Sequence, residues 1–333
     1  MDTSADCPNR DRQAIGPTPR RNVRGATLVE LLVVVGLIGT LAGILLPAIQ
    51  QVRESTRRTQ CLNNLKQIGL GIQNFHTSRG FFPTTVSGNG AIHYWAAQIL
   101  PYMEENPLAA IYDYTVAWNN VKNRTAVQTT LGFMVCPSSP VGPLQHPKFK
   151  TGNPAWGAAA ADYAGSTGPS STLWTTAPVT ISSPQPKVID GFFKGSVNPG
   201  VKGRQMRDIG DGASKTVAVF EAAGRPQVWA FGAMIPDSGL VTSISGKYVT
   251  LCGWADPNQF DVKGFQPDAA NRYKSPGPTL INGCNNAGIY AFHPNGANLL
   301  FVDGSTTFVG TAATADVVAS MLTAQGEETI GVP

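Results

Sequence analysis

Four histidines, five cysteines and a sparse set of acids are the residues of this 333-residue chain with types suited to chemistry. His76, His93, His146 and His293 lack the paired spacing of a zinc site, and neither H-E-x-x-H nor G-x-S-x-G occurs. "GDGASKT" has the outline of a phosphate loop, but Ser214 stands where glycine must precede Lys215, so the segment reads as a turn. The acidic oxygens of Asp208 and Asp211 suit calcium, at a spacing that is not an EF-hand loop, so no cofactor is expected beyond that one candidate. Nine residues separate His293 from Asp303. If the intervening "ANLLFV" is a strand, about 3.3 Å per residue puts its ends roughly 17 Å apart, far beyond hydrogen-bond reach. They are read as turn residues beside Gly304, not as a catalytic dyad, and no constellation in the chain supports an enzyme.

The elements around these residues are of two kinds. Ala26 to Ile49 carries no charge except Glu30, and at 1.5 Å per residue it is long enough to cross a hydrocarbon core of roughly 30 Å. The run is longer than the apolar region of a secretory signal peptide, which favours a retained anchor. Arg20, Arg21 and Arg24 favour a cytoplasmic leader, while Arg53, Arg57 and Arg58 blur the charge rule downstream. A carboxylate within such a segment costs about 2.5–3.5 kcal/mol, so Glu30 calls for a partner or for snorkelling at the helix end. Beyond the span, Ile49, Val52, Leu62, Leu65, Ile68, Ile72 and Phe75 recur mostly every three or four residues, predicting an amphipathic extension over 50–80 that Gly80 and Pro83 end.

The rest, 81–333, reads as a β-rich head. Charged residues make up only 14% of the chain while it holds 36 Gly and 25 Pro, a composition of turns and short strands. The net charge of +4 is scattered, which argues against a nucleic-acid partner. "HYWAAQILPYMEENPLAAIYDY" predicts short helices broken by Pro101 and Pro107; "VIDGFFKGS" predicts a strand and turn, and "DIGDGASKTVAVFE" a turn entering a strand. A three-stranded meander is expected over 287–310, followed by a helix in "TADVVASMLTAQG".

"RGATLVELLVVVGLIGTLAGILLP" resembles the signature of type IV pilins and pseudopilins: a basic leader, Gly25 before the cut, Glu30 as fifth mature residue, an apolar helix and Pro47 within it. Ala26 stands where phenylalanine is usual. The resemblance implies that a prepilin peptidase cuts after Gly25 on the cytoplasmic side and methylates Ala26. It also implies that Glu30 neutralises the amino terminus of a neighbouring subunit, and that the head lies outside the cytoplasmic membrane on a single span. His293, Asp303 and Gly304 are similar to the prepilin-associated motif of His, nine residues, Asp-Gly. With "CLNNLKQIGLGIQNFHTSRGFFPT", "VCPSSP" and "DYAGSTG" they resemble a large family of pilin-like bacterial proteins, abundant in planctomycetes and sometimes grouped with solute-binding proteins. Such a cut removes Cys7 and leaves Cys61, Cys136, Cys252 and Cys284, which allow three pairings. The local pairing, Cys61–Cys136 with Cys252–Cys284, keeps each loop on one side of the Pro/Gly/Ser-rich middle.

The expectation is an α+β, pilin-like protein: leader 1–25, transmembrane helix 26–49, extension 50–80 and head 81–333. Its expected role is that of a structural subunit of a type II secretion or type IV pilus-related assembly. Expected partners are the prepilin peptidase, other pilin-like subunits and the lipid bilayer. A surface-anchored receptor for a solute or glycan is the alternative.

Overall fold

A computed structural model describes residues 27–88, 91–103, 106–140, 157–176, 181, 183–193, 202–235, 252–268 and 273–326. Gly25, Ala26 and the leader 1–25 lie outside them. The chain divides into two compact units, Met1–Gln51 and Val52–Pro333.

In the first unit the dominant feature is the start of helix α1, Leu28–Arg79. Its first turn shows a reciprocal cap: the Thr27 N–H donates to Glu30 Oε2 at 2.8 Å, and the Glu30 N–H donates to Thr27 Oγ1 at 3.3 Å. Two amides that no preceding turn can satisfy are thereby paired. Glu30 thus has a local partner within its own chain, one that the sequence pattern T-x-x-E already contained. Leu31, Leu32, Val34, Leu37, Ile38, Leu41, Leu45 and Leu46 are all exposed. Pro47 lies inside the helix, and the helix is long and apolar enough to cross a membrane.

The second unit is α+β. Along α1, Cys61, Asn64, Leu65, Ile68, Gly69, Gly71, Ile72 and Phe75 are buried, a stripe at three- and four-residue spacing. Ile49 and Val52, expected on that stripe, are exposed. The helix closes as Gly80, at φ +76°, donates its N–H to the His76 carbonyl at 2.7 Å.

The central sheet has strands β1 (Tyr163–Pro169), β2 (Val217–Glu221), β3 (Gln259–Val262), β4 (Gly296–Phe301) and β5 (Thr306–Gly310), in the order β5-β4-β2-β1-β3. β5/β4, β4/β2 and β2/β1 pair antiparallel, while β1/β3 is parallel, so the sheet is mixed. One core gathers Cys61, Leu65, Ile68 and Ile72 of α1 with Tyr163, Val219 and Leu300. A second gathers Ala164, Phe220, Leu299 and Phe301 with Val318, Met321 and Leu322 of the closing helix α2, Ala315–Leu322. Because both faces are covered, β2 and β4 are buried at every position and read as apolar runs without alternation.

Three expectations are corrected. Residues 287–292 make only isolated bridges, Ala222 with Tyr290 and Ile281 with Ile289, so the meander is reduced to the β4–β5 hairpin. Residues 188–193 form no strand; instead Phe192 and Phe193 plug the core beside Phe82 and Trp95. Pro107 opens a helical turn, Asn106–Ile111, rather than breaking one, because its missing N–H costs nothing in the first turn.

Candidate buried cysteine, histidine and carboxylate site

Cys61 and Cys136 are joined by a disulfide, with Cα atoms 5.5 Å apart. Cys61 sits on the buried stripe of α1, and Cys136 follows the single turn Gly132–Met134. Cys252 and Cys284 are free buried thiols, which corrects the second expected bridge. They belong to different cores: Cys252 packs with Trp254 and Cys136, and Cys284 with Phe265 and Tyr273. Burial pushes the Cys284 thiol up to about 12, far from a reactive thiolate.

His293 lies against the bridge, its Nε2 3.6 Å from Cys136 Sγ. Its ring is held at both nitrogens. Nδ1 is 2.6 Å from Glu54 Oε1, and Nε2 is 3.3 Å from Glu221 Oε1. Burial opposes a charged imidazole, yet the hydrogen bonds and charges of Glu221 and Glu54 hold His293 above its ordinary range. Glu54 is likewise disfavoured as an anion by burial, but His293, Arg57 and Ser138 keep its carboxyl below the usual value. The Glu221 side chain is fully buried. It accepts from the Asn298 N–H at 2.7 Å and from Asn298 Nδ2 at 3.0 Å.

Beside this group Asp162 accepts from the N–H groups of Cys136 and Gly224, each at 2.9 Å. Burial pushes its carboxyl up to about 6, against those two donors and the charge of Arg225. The buried Arg225 guanidinium donates to the carbonyls of Ala222 and Ala161. Five separate segments therefore meet here, each fixed by hydrogen bonds to a neighbour.

The two ends of the His293 to Gly304 segment do not meet each other; each meets α1. His293 pairs with Glu54, while Gly304 lies under Gly69, where an added Cβ would be 3.5 Å from the Gly304 Cα and 2.9 Å from Leu300 Cδ1. One helical turn beyond Gly69, Gln73 Nε2 donates to the Val302 carbonyl. Glu54 to Gly69 spans about 22 Å of helix, and the six residues of β4 span roughly 17 Å, with further residues at each end leading to His293 and Gly304. The spacing thus matches a strand laid along a helix and fastened at both ends. Asp303 is a turn residue: its Oδ1 accepts from the Ser305 N–H at 2.8 Å and hydroxyl at 2.6 Å, and Gly304 takes φ +87°. His293 is not a turn residue but a buried member of the polar group.

Asp208 and Asp211 serve the backbone. Asp208 Oδ2 accepts from the Gln205 N–H and Asp211 Oδ2 from the Gly326 N–H, both at 2.8 Å. The residues missed in the sequence are Glu54, Ser138, Asp162, Glu221 and Asn298. Two carried a signal: Glu54 is an isolated acid among Arg53, Arg57 and Arg58, and Glu221 ends the apolar run "TVAVF".

A separate cavity of about 390 Å³ is lined by Phe75, Arg79, Phe81, Gln98, Tyr102 and Lys202, among others. Arg79 Nε donates to the Tyr102 hydroxyl at 2.7 Å, and the Lys202 ammonium lies 6.0 Å from the Phe81 ring centre.

An exposed apolar helix followed in the chain by an α+β head is the class of protein that this architecture defines. The chain belongs to the family described as SBP_bac_10, Protein of unknown function (DUF1559), whose model matches residues 50–314. No curated protein and no solved structure matches it.

Proposed function

We propose that this protein is a membrane-anchored, pilin-like or pseudopilin-like structural subunit of a type II secretion or type IV pilus-related assembly. The observation that carries the reading is helix α1. Its residues from Leu31 through Val52 bear no charge and its large side chains there are exposed, whereas from Cys61 to Phe75 it is part of the head's core. An exposed apolar surface of that length is stable only against lipid or against like helices. In this reading a prepilin peptidase cuts between Gly25 and Ala26 and methylates the new amino terminus, the leader is cytoplasmic and the head extracytoplasmic. Glu30, whose carboxylate caps its own helix at Thr27, also meets a neighbouring subunit's amino terminus.

The test is mass spectrometry of the mature protein combined with crosslinking of the Glu30→Ala variant in native membranes. A methylated Ala26 start and a loss of crosslinked oligomers with insertion unchanged are expected. A chain still beginning at Met1, or oligomers unaffected by Glu30→Ala, would leave anchoring without assembly.

The second reading, a surface-anchored receptor for a solute or glycan, is favoured by the 390 Å³ cavity, in which aromatic rings stand beside the cations Arg79 and Lys202. The family's short name points the same way. Saturable binding of an anionic sugar to the full chain, lost in Arg79→Ala, supports it; unsaturable binding removes it.

A further inference from the structure

We infer that, once the Cys61–Cys136 bridge is reduced, Cys61, Cys136, His293 and Glu221 form a buried site for one zinc-class divalent metal ion. One candidate ligand atom from each of the four lies within 4.8 Å of every other, and all four residues are buried. Two thiolates, an imidazole and a carboxylate are a tetrahedral set of the kind zinc takes. Their ligand spacing is invisible in the sequence, because the four come from α1, the segment after Gly132–Met134, the end of β2 and the approach to β4.

The groups behind the four are arranged as a metal site requires. A metal-bound histidine donates its other N–H to a carboxylate or carbonyl, which fixes the tautomer and the ring. His293 Nδ1 is 2.6 Å from Glu54 Oε1, leaving Nε2 to face Cys136 Sγ at 3.6 Å and Glu221 Oε1 at 3.3 Å. A ligating carboxylate is itself held, and Glu221 takes two hydrogen bonds from Asn298. Asp162 fixes the Cys136 amide.

The disulfide and the metal are alternative occupants. In exchange with an external dithiol, that reductant becomes a cyclic disulfide while the S–S bond breaks and Cys61 and Cys136 gain its two electrons and two protons. Metal binding then releases both thiol protons and the proton on Nε2 to water, leaving thiolates and a neutral imidazole as ligands. Sulfur cannot serve both bonds, so the bridged chain has no such site.

The experiment uses the full chain in detergent micelles, reduced with excess phosphine and titrated with Co²⁺ as a spectroscopic probe for zinc. One Co²⁺ per chain is expected, with thiolate-to-metal charge transfer and tetrahedral bands, reversed by Zn²⁺ and absent from the unreduced protein. Glu54→Gln, which keeps the shape but weakens the hold on Nδ1, should cost about 10–100-fold in affinity. Cys252→Ser with Cys284→Ser should change nothing. If reduction alone unfolds the chain, return of its far-ultraviolet dichroism with Zn²⁺ supports the site, and failure of Zn²⁺ to restore it overturns the site. A reduced, folded chain without thiolate charge transfer, or a signal that persists in Cys61→Ser with Cys136→Ser, also overturns it.

Discussion

At the residue scale, the polar groups inside the head are paired, and their pairing makes them sensitive. Glu221 answers both the Nε2 of His293 and the two donors of Asn298, with both its own side chain and that of His293 fully buried. Glu221→Ala would strand them, and loss of one partner of a buried charged pair costs about 3–5 kcal/mol. Urea unfolding of the variant should show that loss, with Glu221→Gln in between. His93 is the contrasting case. Its Nδ1 is 2.9 Å from the Tyr112 hydroxyl and its Nε2 3.0 Å from the Tyr114 carbonyl. Burial pushes His93 below its ordinary range, against the Tyr114 carbonyl and the charge of Asp113. The unfolded chain therefore binds the proton more readily than the folded one. This contribution to stability is fully present above the ordinary histidine value of about 6.5 and is lost as pH falls through the lower folded value. Urea midpoints measured from pH 8 to pH 5 should fall more steeply for the wild type than for His93→Gln.

At the element scale, α1 and β4 lie together because Gly69 has no side chain. A Cβ there would stand 2.9 Å from Leu300 Cδ1, and Leu300 is completely buried with little room to withdraw. Gly69→Leu is expected to lower the head's stability by about 1–3 kcal/mol through overpacking. Gly43→Ala, with nothing within 4 Å of the new Cβ, should leave the head's unfolding midpoint where it is. An unchanged midpoint in Gly69→Leu would show that the helix can move off the strand. The helix stripe itself was legible from spacing, since Leu65, Ile68, Ile72 and Phe75 are apolar. Asn64, Gly69 and Gly71 were not, because polarity and size do not announce burial when a hydrogen bond or a close approach is what demands it. Asn64 is held there by the Val135 carbonyl at 3.0 Å and the Tyr163 hydroxyl at 3.2 Å.

At the scale of the whole molecule, the Cys61–Cys136 bridge ties the helix to the head across 75 residues of chain. Loop-closure reasoning gives such a crosslink about 4 kcal/mol, less any strain. Peptide mapping without reductant should recover Cys61 joined to Cys136, and should find Cys252 and Cys284 alkylated only after unfolding. A Cys252–Cys284 peptide from the native protein would contradict the separation of the two thiols into different cores.

The sequence by itself determined the features carried by local order. A membrane-length apolar helix, the reciprocal cap at Thr27 and Glu30, the helix end at Gly80 and the Asp303-Gly304 turn all depend on residues within a few positions of one another. So did the α+β class, through one helical period and several short apolar strands. Only the tertiary structure decided the rest. β1 pairs in parallel with β3 across some ninety residues, and 287–292 fails to become a strand although its pattern is apolar, because its partners offer single bridges. Above all, Glu54, Cys61, Cys136, Glu221 and His293 converge from as far apart as 239 positions. The local signals at Glu54, Glu221 and His293 do not say which of these residues meet, because proximity through a packed core leaves no periodic trace in the chain.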